Sequence, residues 1–122
     1  MIDNVILNVR NLTSSRKFYE AALAPLGYEV VMAYEEGVGF GEAGKPDLWI
    51  ARRDPVQTGV HVALTCRRRK IVDEFHAAAL KAGGIDNGRP GVREHYHKNY
   101  YGAFVLDPDG NNIEAVCHEP EP

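Results

Sequence analysis

The chain has little cysteine, no surplus of positive charge and no long apolar run, and each shortage closes off a class of protein. Two cysteines in 122 residues, Cys66 and Cys117, cannot build a disulfide scaffold, and their spacing is not that of a zinc site. Both fall in apolar strand patterns, which reads as reduced core thiols in a reducing compartment. A formal net charge of −3 offers no basic surface to nucleic acid or anionic lipid. The local exception is Arg67-Arg68-Arg69-Lys70, read as a solvated face at a helix start, with an anion or partner contact as the sharper alternative. No stretch reaches the roughly 18 apolar residues that a membrane span requires. The first residues, Met1-Ile2-Asp3-Asn4-Val5, open on a strand pattern without a charged leader and apolar segment, so a cytoplasmic protein is the expectation.

What is present is one unit read twice. Ile2 to Val9 alternates, with Val5, Leu7 and Val9 on one face and Asn4, Ile6 and Asn8 on the other. Asn11-Leu12-Thr13-Ser14 supplies a helix cap, Ser14 to Ala24 reads as a helix with Phe18, Ala22 and Leu26 on a stripe, and Pro25 and Gly27 stop it. The second half repeats the order. Val60 to Cys66 alternates, with His61, Ala63 and Thr65 opposite Val62, Leu64 and Cys66. A helix follows from about Arg68 to Ala82, its apolar face predicted as Ile71, Phe75, Ala78 and Ala82, with Gly83-Gly84 as the stop. Asn4 and His61 hold the same place in their strands, 57 residues apart.

Short strands complete each unit. In the first they are Tyr28 to Tyr34, Gly37 to Gly41 and Asp47 to Arg52; in the second, Tyr101 to Leu106 and Asn112 to His118, with a less defined piece at Gly91 to Glu94. Asp107-Pro108-Asp109-Gly110 joins the last two as a hairpin turn. Gly37-Val38-Gly39-Phe40-Gly41 lacks the strand-to-helix setting of a phosphate loop, and tight strand turns explain it better. Thr58-Gly59 marks the seam. One unit alone exposes a whole sheet face, so modules of about 1–57 and 58–122 are expected to pack as a single domain over 1–122.

The closing segment Phe104-Val105-Leu106-Asp107-Pro108-Asp109-Gly110-Asn111-Asn112-Ile113-Glu114 combines a turn of defined chemistry with an acidic residue at a fixed distance beyond it. Together with Ile2-Asp3-Asn4-Val5, Phe18-Tyr19-Glu20, Gly27-Tyr28-Glu29 and His61-Val62-Ala63, it resembles the vicinal oxygen chelate superfamily: glyoxalases, bleomycin-resistance proteins and extradiol dioxygenases. The resemblance runs through essentially the whole chain. It implies an α+β fold in which two βαβββ modules form a curled, incompletely closed eight-stranded barrel with the helices outside and a ligand in the concave interior.

In that family, inward-facing positions on the first and fourth strands of each module supply metal ligands. Carried onto this chain they fall on Asn4, about Trp49, His61 and Glu114. Strand parity independently groups three of them, since Asn4, His61 and Glu114 each face away from the apolar layer. His61 and Glu114 are strong ligands, an amide such as Asn4 binds transition metals poorly, and Trp49 does not ligate. The missing histidine at position 4 argues against ring-cleaving dioxygenase chemistry. Two missing ligands argue against a full lactoylglutathione lyase site.

Other residues are expected to line the hollow. Trp49, Tyr100, Tyr101, His95 and His97 combine apolar contact with hydrogen bonding, and Tyr101 is placed facing inward. The plain alternative for 95–101 is a loop entering a strand with wet hydroxyls. His95 and His97, two apart, are expected to share a strand face.

Two functions follow from the resemblance. One is a divalent-metal-dependent lyase or isomerase (Zn, Ni, Mn or Fe), acting on a small carbonyl or thiol adduct, with the ion on His61, Glu114 and Asn4 and with Glu114 moving the proton. The other is a metal-free protein of bleomycin-resistance type that binds or sequesters a small molecule. In either case a homodimer is expected, with a small-molecule ligand and neither nucleic acid nor membrane as partner.

Overall fold

In the computed structural model, residues 1–120 are described, and they form two four-stranded sheets built by the same recipe. The first module contributes β1 (Val5–Asn8), α1 (Leu12–Leu23), a 3₁₀ turn at Ala24–Leu26, β2 (Glu29–Tyr34), β3 (Gly37–Glu42) and β4 (Lys45–Ala51). The second contributes β5 (His61–Cys66), α2 (Arg69–Lys81), β6 (Ile85–Val92), β7 (Tyr101–Leu106) and β8 (Asn112–Cys117). Strand order is β1-β4-β3-β2 in one sheet and β5-β8-β7-β6 in the other. In each the first strand runs parallel to the fourth and the remaining pairs are antiparallel. The two orders are the same permutation. That agrees with the α+β repeat expected from the sequence, arranged as two sheets and not as a closed barrel.

Register makes the repeat quantitative. Ile6 pairs with Trp49 in the first sheet as Ala63 pairs with Glu114 in the second. Trp49 and Glu114 are therefore structural equivalents, and Asn4 stands before Ile6 as His61 stands before Ala63.

Local chemistry sets the helices. Asn11 caps α1, its side chain accepting from the Ser14 N–H at 3.0 Å. The helix continues through Pro25 as a 3₁₀ turn and ends at Gly27, whose φ of 84° is the left-handed closing position that glycine takes without strain. The buried face of α2 is Val72, Phe75, His76 and Ala79; of the stripe expected at Ile71, Phe75, Ala78 and Ala82, Phe75 is fully buried and Ala82 packs against the core, while Val72 and Ala79 take the places expected of Ile71 and Ala78. The displacement brings His76 inward, where Asp86 at the start of β6 meets it at 2.9 Å.

One hydrophobic cluster draws on both modules: Leu7, Phe18, Tyr19, Phe40 and Ile50 from the first, Phe75, Val105, Ile113 and Ala115 from the second. A buried polar link crosses it, with the Tyr19 hydroxyl donating to Asp107 at 2.5 Å. Asp107 is the first residue of the turn after β7. It also accepts from the Asp109 and Asn111 N–H groups, and Gly110 closes the turn at a φ of 87°.

Candidate functional site

Glycine clears the site before any polar residue furnishes it. On β3, Val38 and Phe40 point into the core, while Gly37 and Gly39 leave the opposite face bare. An added Cβ at Gly39 would lie 2.8 Å from the Trp49 ring, so the indole lies directly over this glycine. Tyr34 stacks on Trp49 with centroids 6.2 Å apart and an interplanar angle of 11°. The glycine-rich run is thus an alternating strand and not a series of tight turns. The second sheet repeats the device: a Cβ at Gly102 would come within 3.1 Å of the Tyr100 ring and 3.2 Å of a Glu114 oxygen.

That second face brings a carboxylate, an imidazole and a phenol together. Glu114, on the central strand β8, is 1% exposed. A carboxylate so deep is costly unless its oxygens are hydrogen-bonded. Both are. Oε1 meets His61 Nε2 at 2.7 Å, and Oε2 accepts from the Tyr100 hydroxyl. Burial, and then the Glu114 carboxylate, push the Tyr100 phenol well above its ordinary range, so it remains a donor. His61 sits on the edge strand with its side chain 51% exposed. The arrangement is a buried carboxylate orienting a half-open imidazole.

Aromatic groups frame the pair. The Phe104 ring lies 5.9 Å from the His61 ring. Tyr100 makes edge contacts with Tyr96 and His118, each with centroids 5.2 Å apart. His61 also forms part of the wall of a hollow of about 660 Å³ at the seam of the two sheets, shared with Val5, Tyr28, Asp47, Val62 and Leu64. Across it the Tyr28 hydroxyl donates to Asp47 at 2.9 Å. Burial and that carboxylate raise its pKa, so it too stays protonated.

The residues singled out from sequence part company here. His61, Glu114 and Tyr100 come together. Asn4 precedes β1, is exposed, and spends its amide on Asp3 at 2.7 Å. Trp49 lines a different hollow of about 370 Å³ with Ile6, Tyr34, Glu36 and Arg53. Tyr101 corrects the inward placement expected of it: its hydroxyl donates to Asp73 on α2 at 2.6 Å and its ring lies beneath Arg69. The reason is parity, since Tyr101 pairs with Cys117 and so shares the helix-side face with Ile113 and Ala115. His95 and His97 lie in the loop after β6, not on a shared strand face, His95 packing on Tyr96 and His97 against His118. His118, Phe104 and Arg93 were not singled out from sequence. Phe104 pairs with Glu114 in register and could have been found by the same parity rule.

A divalent ion does not fit these donors. Among the described residues no group of three His, Cys, Asp or Glu side chains could hold a metal. The one carboxylate of the face has both oxygens engaged, one of them by the very imidazole that would have to ligate beside it.

Comparison with known proteins defines the class. The profile of the Glyoxalase/Bleomycin resistance protein/Dioxygenase superfamily matches residues 1–115, and the chain belongs to that superfamily. Among solved structures it is similar to a glyoxalase/bleomycin resistance protein from Albidiferax ferrireducens T118, at 28% identity and a TM-score of 0.83, covering 97% of this chain and 98% of that one. It shares its fold with a glyoxalase-related enzyme from Fulvimarina pelagi (19% identity, TM-score 0.74, covering 96% and 87%). The same holds for a glyoxalase/bleomycin resistance protein/dioxygenase family enzyme from Burkholderia phytofirmans PsJN (15%, TM-score 0.74, covering 97% and 98%). No curated protein matches.

Proposed function

We propose that this chain binds a small organic molecule in the hollow walled by His61 and that it does so without a metal ion. The observation that carries the reading is that both Glu114 oxygens are engaged, one by His61 and one by Tyr100. A carboxylate bonded at both oxygens orients the imidazole, and for His61 and Glu114 to ligate an ion side by side their mutual bond would have to break. With Nε2 turned to Glu114, the remainder of the His61 ring is left to hydrogen-bond a ligand, and Val5, Val62 and Leu64 in the same wall supply apolar contact. A hollow of about 660 Å³ lies within the range of small-molecule sites.

A second reading, a metal-dependent lyase or isomerase of glyoxalase type, draws on one feature: His61 and Glu114 are side by side at 2.7 Å, with the imidazole half open. It requires their mutual bond to break and further donors to be supplied. Pairing of two chains, expected from the resemblance, is supported by the exposed Ile6, Met32 and Tyr34 on the bare face of the first sheet. Two free cysteines, and no helix among the described residues long and apolar enough to cross a membrane, accord with a cytoplasmic placement.

The test is a small-molecule screen against metal-stripped protein, followed through the His61 and Phe104 ring resonances. The expected result is ligands that shift both rings in the absence of metal and bind at least tenfold more weakly to His61→Ala. If ligands bind only after an equivalent of divalent ion is added, the second reading replaces the first.

A further inference from the structure

Beside this pair lies a cation with no counter-ion among the described residues. Arg93, just past β6, folds back over β7, and its guanidinium carbon sits 5.0 Å from the centre of the Phe104 ring. Gly88 makes room for it: a Cβ there would lie 2.7 Å from Phe104 and 3.2 Å from Arg93 Nη2. Nη1 donates to the Gly91 carbonyl at 2.9 Å and to the Gly102 carbonyl, and Nη2 donates to the Arg89 carbonyl at 2.7 Å. These acceptors are neutral backbone oxygens. They fix the position and plane of the guanidinium without compensating its charge. Among the described residues no carboxylate lies within ion-pair distance of it, and Glu114 on the same face is committed to His61 and Tyr100.

A half-buried charge left uncompensated is unfavourable unless something pairs with it. The guanidinium has five N–H donors in a flat fork, and the three bonds above leave Nε–H and one Nη2 hydrogen, the combination that grips an oxyanion on two points. His61 and Arg93 flank the same Phe104 ring.

We propose that Arg93, which lies outside the hollow and across the Phe104 ring from His61, is the anion-binding residue of this face, and that a ligand reaching from the His61 hollow over that ring is a small organic acid. Its carboxylate or phosphate meets the Arg93 fork while another part of the molecule meets the imidazole. The inference rests on the ligand-binding reading above but is separable from it, since a neutral molecule would satisfy that reading equally well.

The experiment titrates ¹⁵N-labelled protein with inorganic phosphate, with benzoate and with its neutral counterpart benzamide, following the Arg93 Nε–Hε signal and the His61 ring. Phosphate and benzoate are expected to move the Arg93 signal saturably, benzoate to move His61 as well, and benzamide to leave Arg93 unmoved. Benzoate affinity should fall at least tenfold in Arg93→Gln and by an intermediate amount in Arg93→Lys, which keeps the charge and loses the fork. The wild-type titration decides the matter if Arg93→Gln does not fold. An Arg93 signal that neither anion moves, or equal benzoate affinity in a folded Arg93→Gln, overturns the proposal. Benzoate that moves Arg93 but not His61 overturns the two-point arrangement. Should benzamide move His61 as strongly as benzoate while Arg93 stays still, the acid requirement falls and the binding reading survives. If none of the probes moves either residue and the screen is also empty, both fall.

Discussion

Glu114 is the residue on which the chemistry of this face turns, and its environment makes single substitutions informative. Tyr100→Phe removes one of its two donors and leaves a buried carboxylate oxygen unsatisfied. A loss of about 1–3 kcal/mol is expected, read as a lower chemical-denaturation midpoint at unchanged slope. Glu114→Gln keeps the shape and removes the charge, so its expected effect is smaller on stability and larger on ligand affinity, because His61 loses the partner that orients it. An affinity unchanged in Glu114→Gln would show that the carboxylate does not position the imidazole. Gly102→Ala probes the same spot sterically, since its methyl would meet Tyr100 at 3.1 Å and Glu114 at 3.2 Å. At this scale the sequence was half legible. Strand parity picks out His61 and Glu114, because alternation survives in both strands. It missed Tyr100's partnership and misplaced Tyr101, because one residue at a strand entrance decides which face a ring occupies.

Elements carry the next set of consequences. The α2 helix and β6 are joined by His76 and Asp86 at 2.9 Å. The hydrogen bond from His76, then that from the Gly88 N–H, holds the Asp86 carboxyl below its ordinary value of 3.8. A depressed folded-state pKa means that the contribution to stability is complete above that ordinary value and is lost as pH falls through the folded one. Asp86→Asn is therefore expected to flatten the acid limb of the stability profile below pH 3.8, measured by urea midpoints across the acid range, and an unaltered limb would contradict it. The Asn11 cap gives a second element-level expectation: Asn11→Ala should cost about 1 kcal/mol. The sequence located α1, its cap and its glycine stop, and Phe75 on α2, but placed two positions of the α2 face, Ile71 and Ala78, one residue early. Periodicity counts apolar residues, and the structure buries His76 in place of Ala78 because a polar partner waits for it on β6. That strand was itself poorly legible, since shifts of register at Gly88 break the alternation that announces strands elsewhere.

For the whole molecule, the repeat was the strongest signal in the sequence, and the shared strand order is its physical counterpart. What joins the two modules is a common cluster in which Phe18 and Phe75 are each about fully buried, together with the Tyr19–Asp107 link. Phe75→Ala should cost about 3–5 kcal/mol, lost in one cooperative transition followed equally by aromatic and backbone signals. Two separated transitions would mean that the modules unfold independently. The hollow at their seam was legible only as a consequence of the resemblance, since no local pattern records which sheet edges face one another. Division of the expected lining into two hollows, with Trp49 in one and His61 in the other, was not legible at all.

In the proposed function Glu114 serves its own histidine and not a cation. Calorimetric titration of chelator-treated protein with Zn, Ni, Mn and Fe(II) ions tests it most directly. No stoichiometric binding that depends on both residues is expected. One equivalent per chain, abolished by His61→Ala and by Glu114→Ala alike, would contradict it.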